Sequence, residues 1–155
     1  MKYLTLIVLA LTAEVAHADF WDNCTAYGGT IITANSYGND KGGLCNDPND
    51  SSVTNNCNGK KFCKGGNTMN WWSSFTWCEA IGGHLASFAT VCPGAQTHTS
   101  GNCPNVKGIN SGLGRTSTGW QGNATFYVNL ASGAYEANAS YGSRSYSFPY
   151  PLCEE

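Results

Sequence analysis

Asn70 to Phe88 reads N-W-W-S-S-F-T-W-C-E-A-I-G-G-H-L-A-S-F, a helix start, a helix stop and a cysteine in one short block. Asn70 can cap a helix by accepting hydrogen bonds from the unpaired amides of the first turn. Gly82-Gly83 can end it, because glycine adopts a positive φ without steric cost. Trp71, Phe75 and Cys78 recur at i, i+4 and i+7, and Ile81 and Gly82 continue that face. This spacing predicts a helix over about 70–81 with those residues buried, flanked by Trp72 and Trp77. Leu85 to Phe88 then suits a short strand.

Downstream, Phe126, Val128 and Leu130 alternate with Thr125, Tyr127 and Asn129, the period of a half-buried strand, and Ala131-Ser132-Gly133 turns the chain. Tyr146, Phe148, Tyr150 and Leu152 form a second alternating row leading into Cys153. Pro149 and Pro151 remove two donors from its other face, which predicts an edge position or a bulge. Upstream, 19–66 is loop-rich, with one strand candidate at Gly29 to Thr33 that suits a hairpin added to the main sheet. Asp47, Asn49 and Ser51 alternate like calcium-loop ligands. Pro48 intrudes, however, Ser52 stands where the loop needs glycine, and Asn58 where it needs glutamate, so an exposed turn is expected.

Residues 1–18 combine Lys2, an apolar run from Leu4 to Leu11 and Ala16-His17-Ala18, the pattern of a cleaved export leader. The run is too short to span a bilayer, and nothing after it is apolar enough to do so. A mature chain starting at Asp19 and secreted into an oxidising space (extracellular, periplasmic or cell-surface) is therefore expected. Only 12% of the residues are charged, so ion pairs have little to hold together. All eight cysteines, at 24, 45, 57, 63, 78, 92, 103 and 153, follow the leader, and an even number in an exported chain implies a disulfide framework. Zinc is disfavoured, since no two cysteines are spaced C-x-x-C and neither His84 nor His98 sits at ligand spacing from one. Eight cysteines allow roughly a hundred pairings. Proximity suggests Cys92–Cys103 around a turn-rich loop, and Cys24–Cys45 with Cys57–Cys63 is the simplest arrangement of the N-terminal four.

The segment W-C-E-A-I-G-G-H-L-A-S-F resembles the first helix and following strand of the C-type lectin-like fold, and the terminal P-L-C-E resembles that fold's closing strand. The run A-T-F-Y-V-N-L-A-S-G is similar to a strand and turn of exported bacterial members. The likeness spans 67–155, well matched at its ends and poorly in the middle. It implies an α+β fold, an antiparallel sheet with one main helix, loop-rich and stapled by disulfides, with 19–66 as a disulfide-rich extension packed on it. It also implies a bridge between Cys78 and Cys153. The family's calcium-dependent sugar site uses a Glu-Pro-Asn or Gln-Pro-Asp triplet and a later Trp-Asn-Asp. The nearest equivalents here, Cys103-Pro104-Asn105 and Val128-Asn129-Leu130, supply no carboxylate, so neither metal nor cofactor is expected.

Hydrolytic chemistry needs a nucleophile with a positioned base, and only His84 and His98 remain to serve as one beyond the leader. Acidic pairs are sparse, and no nucleophile elbow, phosphate loop or dinucleotide fingerprint is present, so a non-enzymatic role is expected. A net charge of −2 with a single small cluster, Lys60, Lys61 and Lys64, disfavours nucleic acid. What remains is binding. Arg115, Trp120, Gln121, Asn123 and Tyr127 combine aromatic planes with amides that suit a glycan or protein ligand outside the cytoplasm. Ordinary packing of Trp120 and Tyr127 competes with that reading, as does a structural or assembly subunit of a cell-surface structure. Oligomeric state is not legible. Sequons stand at Asn23, Asn49, Asn123 and Asn138.

Overall fold

The computed structural model describes residues 18–32, 61–92, 95, 98–103, 106, 111–138 and 147–155. Residues 1–17 of the expected leader 1–18, Cys45, Cys57, the 46–58 loop and Tyr146 lie outside them. The fold is α+β. Its elements run α1 (Phe20–Ala26), β1 (Thr30–Ile32), β2 (Phe62–Lys64), α2 (Trp71–Ala80), β3 (His84–Leu85), α3 (Phe88–Val91), β4 (Ser100–Asn102), β5 (Leu113–Trp120), β6 (Ala124–Asn129), β7 (Ala134–Asn138) and β8 (Tyr150–Glu154).

Helix α2 forms where the sequence places it. Asn70 accepts from the amide of Ser73 at 2.9 Å. Gly82, at φ 88°, ends the helix by returning its amide to Glu79, while the amide of Gly83 returns to Cys78. The buried face differs from expectation. Ser74 and Cys78 are buried, Ile81 follows them, and Phe75 is exposed. Ser74 tolerates burial because its hydroxyl donates back to the carbonyl of Asn70 at 2.8 Å, satisfying the polar atom locally. The strand expected over Leu85 to Phe88 stops at Leu85. Ser87 instead caps the single turn α3 by accepting from the amide of Thr90 at 3.0 Å, which turns Phe88 inward onto Phe126, ring centroids 4.3 Å apart.

The eight strands among the described residues form one sheet, ordered β1-β2-β8-β5-β6-β7-β4, with β3 also against β8. It is mixed rather than purely antiparallel, because β8 runs parallel to β5 at Gly114↔Tyr150 and Arg115↔Pro151. Strand β8 is interior, which corrects the expected edge. On one side it pairs with β2; on the other, β5 borders its first half and β3 its second. The prolines are tolerated for a geometric reason. In a strand, a residue's nitrogen and carbonyl point to the same side. Pro149 and Pro151 turn theirs toward the segment leaving β2, where Met69 and Gly65 donate their amides to the two carbonyls at 3.1 and 2.9 Å. Each proline thus keeps the half of the exchange in which its carbonyl accepts and forgoes the half in which its nitrogen would donate.

Alternation along β2 and β8 divides the interior. Phe62 and Leu152 face one cluster with Ile32, Phe88, Val91, Val106, Phe126, Val128 and Leu130. Cys63 and Cys153 face another with Phe20, Cys24, Cys78, Ile81 and Leu85, beneath α1 and α2. Cys63 and Cys153 are direct cross-strand partners, and each bridges outward to a helix: Cys24–Cys63 fastens α1, Cys78–Cys153 fastens α2. Cys24–Cys63 replaces the expected Cys24–Cys45 and Cys57–Cys63 pairs, because β2 aims Cys63 at α1. Gly29 leaves room for this bridge, since a Cβ there would lie 2.7 Å from Cys63 Sγ and 2.9 Å from Cys24 Sγ. Cys92–Cys103 closes the local loop as expected. Three disulfides stand among the described residues, a covalent framework of the kind that an oxidising space favours. Among the described residues, no helix is long and apolar enough to cross a membrane.

Candidate functional site

The candidate site follows from the same alternation on β6. Phe126, Val128 and Leu130 point into the core, so Thr125, Tyr127 and Asn129 point to the opposite face of the sheet. Register then aligns a row across four strands: Arg115 opposite Tyr127, Tyr127 opposite Glu136, and Glu136 opposite Ser100. Within this row the Tyr127 hydroxyl donates to Glu136 Oε2. An open groove of about 490 Å³ lies over the row's outer half, with Leu113 and Asn129 on its floor and Phe148 beside them. Phe148 is 57% exposed. Of the alternating row expected at Tyr146, Phe148, Tyr150 and Leu152, Tyr150 and Leu152 lie in β8 and Phe148 precedes it.

The five residues singled out from sequence do not form one surface. Arg115 and Tyr127 are neighbours across β5 and β6 and both are buried. Arg115 is 0% exposed and its Nη1 donates to Thr125 Oγ1 at 3.3 Å. Burial lowers its pKa to about 10, so it still carries a charge at neutral pH. Trp120 sits edge-on against Phe126, at 5.5 Å between centroids, and packs on the core. Gln121 and Asn123 are exposed on the tight turn between β5 and β6. Of the five, Tyr127 lines the groove. Glu136, Phe148, Leu113 and Ser100 were not singled out. The available signal was Tyr127's outward place in the β6 alternation, which leads to Glu136 once β6 and β7 are read as a hairpin around Ser132-Gly133.

Elsewhere the polar groups serve the fold. His84 Nε2 lies 3.2 Å from Glu154 Oε1, a buried oxygen that also accepts from the Ser87 amide and the Thr90 hydroxyl. The Ser87 hydroxyl pairs with Thr90 rather than with His84. Asn129 Oδ1 accepts from the amides of Ala131 and Ser132, each at 3.0 Å, and so shapes the β6–β7 turn. Lys64, pushed below the usual lysine range by burial, holds its ammonium 4.1 Å from the centre of the Tyr150 ring. Asn23 donates its side-chain amide to the carbonyls of Ala18 and Ile81, which ties the start of α1 to the end of α2. Among the described residues, no three His, Cys, Asp or Glu side chains come together as metal ligands.

A second concave surface runs along α2 between Met69, Trp72, Thr76 and Trp77. Trp72, which lines it, is 52% exposed, and Phe75, also on α2 but outside that surface, is 37% exposed. No protein-family model, curated protein or solved structure matches the chain, which leaves the geometry of these residues to speak for its function.

Proposed function

We propose that this chain is an exported recognition module of the C-type lectin-like kind, non-enzymatic, which binds a glycan without calcium in the groove over β6 and β7. The observation that carries the reading is the exposed ring of Phe148 sharing an open groove with the Tyr127–Glu136 pair. A pyranose presents an apolar C–H face and a rim of hydroxyls. An aromatic plane suits the first, and a carboxylate already oriented by a phenol suits the second. The lectin-like part of the proposal is supported by the capped helix α2, its bridge from Cys78 to the closing strand at Cys153, and the interior place of that strand. Export is supported by the three disulfides. The test is a glycan array probed with and without a calcium chelator. Binding that survives the chelator supports the proposal, and binding abolished by it counts against calcium independence.

A second reading, an assembly subunit, draws on the exposed Trp72 and Phe75 of α2. There another copy of the chain would cover the helix. Sedimentation separates the two: a recognition module remains monomeric, whereas the subunit self-associates and Trp72→Ala dissolves the association.

A further inference from the structure

We infer that the two bridges on the helical side of the sheet form a thiol–disulfide relay, in which reduction of Cys24–Cys63 is passed to Cys153 and unfastens α1 and α2 together. The juxtaposition that carries it is the register of β2 against β8. Cys63 and Cys153 stand directly opposite each other and face the same cluster, yet each is bonded away from the other, to Cys24 on α1 and to Cys78 on α2. Directly opposed residues of antiparallel strands have Cα atoms about 4.5–5.5 Å apart, inside the roughly 4.4–6.8 Å span of a disulfide. A third bond, Cys63–Cys153, is therefore within reach of the existing register. The relay starts at α1. That helix has seven residues, its N-cap Asp19 makes no side-chain cap bond, and β1, which follows it, is an outermost strand of the sheet. A short uncapped helix beside a sheet edge opens locally at low cost, which brings the otherwise buried Cys24 within reach of an external thiol. Cys78, by contrast, sits inside the capped ten-residue α2. The external thiolate bonds to Cys24 Sγ and displaces Cys63 as a thiolate. Cys63 attacks Cys153 Sγ, so the Cys63–Cys153 bond forms, the Cys78–Cys153 bond breaks, and Cys78 leaves as a thiolate that takes a proton. A second external thiol then displaces Cys24 from the mixed disulfide. Two external thiols are oxidised to their disulfide, Cys24 and Cys78 are reduced, and one strand-to-strand bridge replaces two helix-to-sheet bridges.

The experiment treats the folded full chain with limiting dithiothreitol, which supplies both thiols, at mildly alkaline pH. Free thiols are then alkylated and each remaining bond is assigned by peptide mapping. The expected product carries a Cys63–Cys153 bond with alkylated Cys24 and Cys78. Four of the five tryptophans, at 21, 71, 72 and 77, lie on the two helices, so the emission of this product should shift to the red. Cys24→Ser removes the need for a reductant, because it leaves Cys63 as a thiol from the outset. The two bridges then open to Cys153 close loops of comparable length, so chain entropy favours neither, and label should divide between Cys63 and Cys78. Label confined to Cys63 in a folded Cys24→Ser variant overturns the relay. In the wild type, alkylated Cys24 and Cys63 beside an intact Cys78–Cys153 bond overturns it whether or not that variant folds. Loss of both bridges without a Cys63–Cys153 species overturns it as well, and unchanged emission in the exchanged product overturns the unfastening of the helices.

Discussion

Removing the bridge that fastens α2 to the sheet should cost more than removing either of the other two described bridges. Cys78 and Cys153 are both fully buried and 75 residues apart in sequence. Closing a loop of that length removes chain entropy from the unfolded state worth about 4.5 kcal/mol, against about 2.8 kcal/mol for the 11-residue Cys92–Cys103 loop. A domain's whole stability is about 5–15 kcal/mol, so the first loss takes a large part of it. The double variant Cys78→Ala with Cys153→Ala is the right perturbation. A single substitution would leave a thiol at Cys153 facing Cys63 across β2 and β8, in position to attack the Cys24–Cys63 bridge. Urea titration of the two double variants, with equal m-values, reads the difference directly. The expected result is a Cys78/Cys153 variant about 1.7 kcal/mol less stable than the Cys92/Cys103 variant. Equal stabilities, or the reverse order, would refute the assignment of the long bridge as the principal staple.

Three further outcomes follow from particular contacts. Asn70→Ala removes the cap on Ser73 and should cost about 1 kcal/mol in thermal or urea unfolding, with Asn70→Asp close to wild type. Phe88→Ala empties the stack on Phe126 and Tyr135 and should cost about 3–5 kcal/mol, read by the same titration. Lys61 bonds Asp19 at 2.8 Å and holds that carboxyl below its ordinary 3.8. The stabilisation is therefore complete above that value and lost as pH falls through the lowered one. Both side chains are partly exposed, so the amount is about 0.5 kcal/mol at low salt. Asp19→Asn should flatten this acid limb of a stability–pH curve, and added salt should shrink it.

Local chemistry was legible and register was not. Asn70 and Gly82-Gly83 marked α2 because a cap and a stop act on neighbouring residues. The same helix was misread at Phe75 because two stripes ran along it, and choosing between them required knowing that Ser74 satisfies its own hydroxyl. Cys63 was paired with the wrong partner because its direction is set by β2 and β8 meeting at Cys63↔Cys153, a contact between segments far apart in the chain. Pro149 and Pro151 pointed to an edge by a sound rule. The strand is interior all the same, because both proline carbonyls still accept from the neighbouring segment, at Met69 and Gly65. The candidate groove was legible only through Tyr127. Glu136 and Phe148 join it from β7 and from the approach to β8, and nothing in their own surroundings marks them.

The groove itself is tested most directly by one titration: the glycan that binds best on the array, measured against wild type and Phe148→Ala. Phe148 is exposed, so its removal should leave the unfolding midpoint unchanged. Loss of an aromatic anchor of this kind is worth about 2 kcal/mol, so affinity should fall by more than tenfold. An unchanged affinity in a normally folded variant, especially one abolished instead by Trp72→Ala, would contradict the account and move the recognition surface to α2.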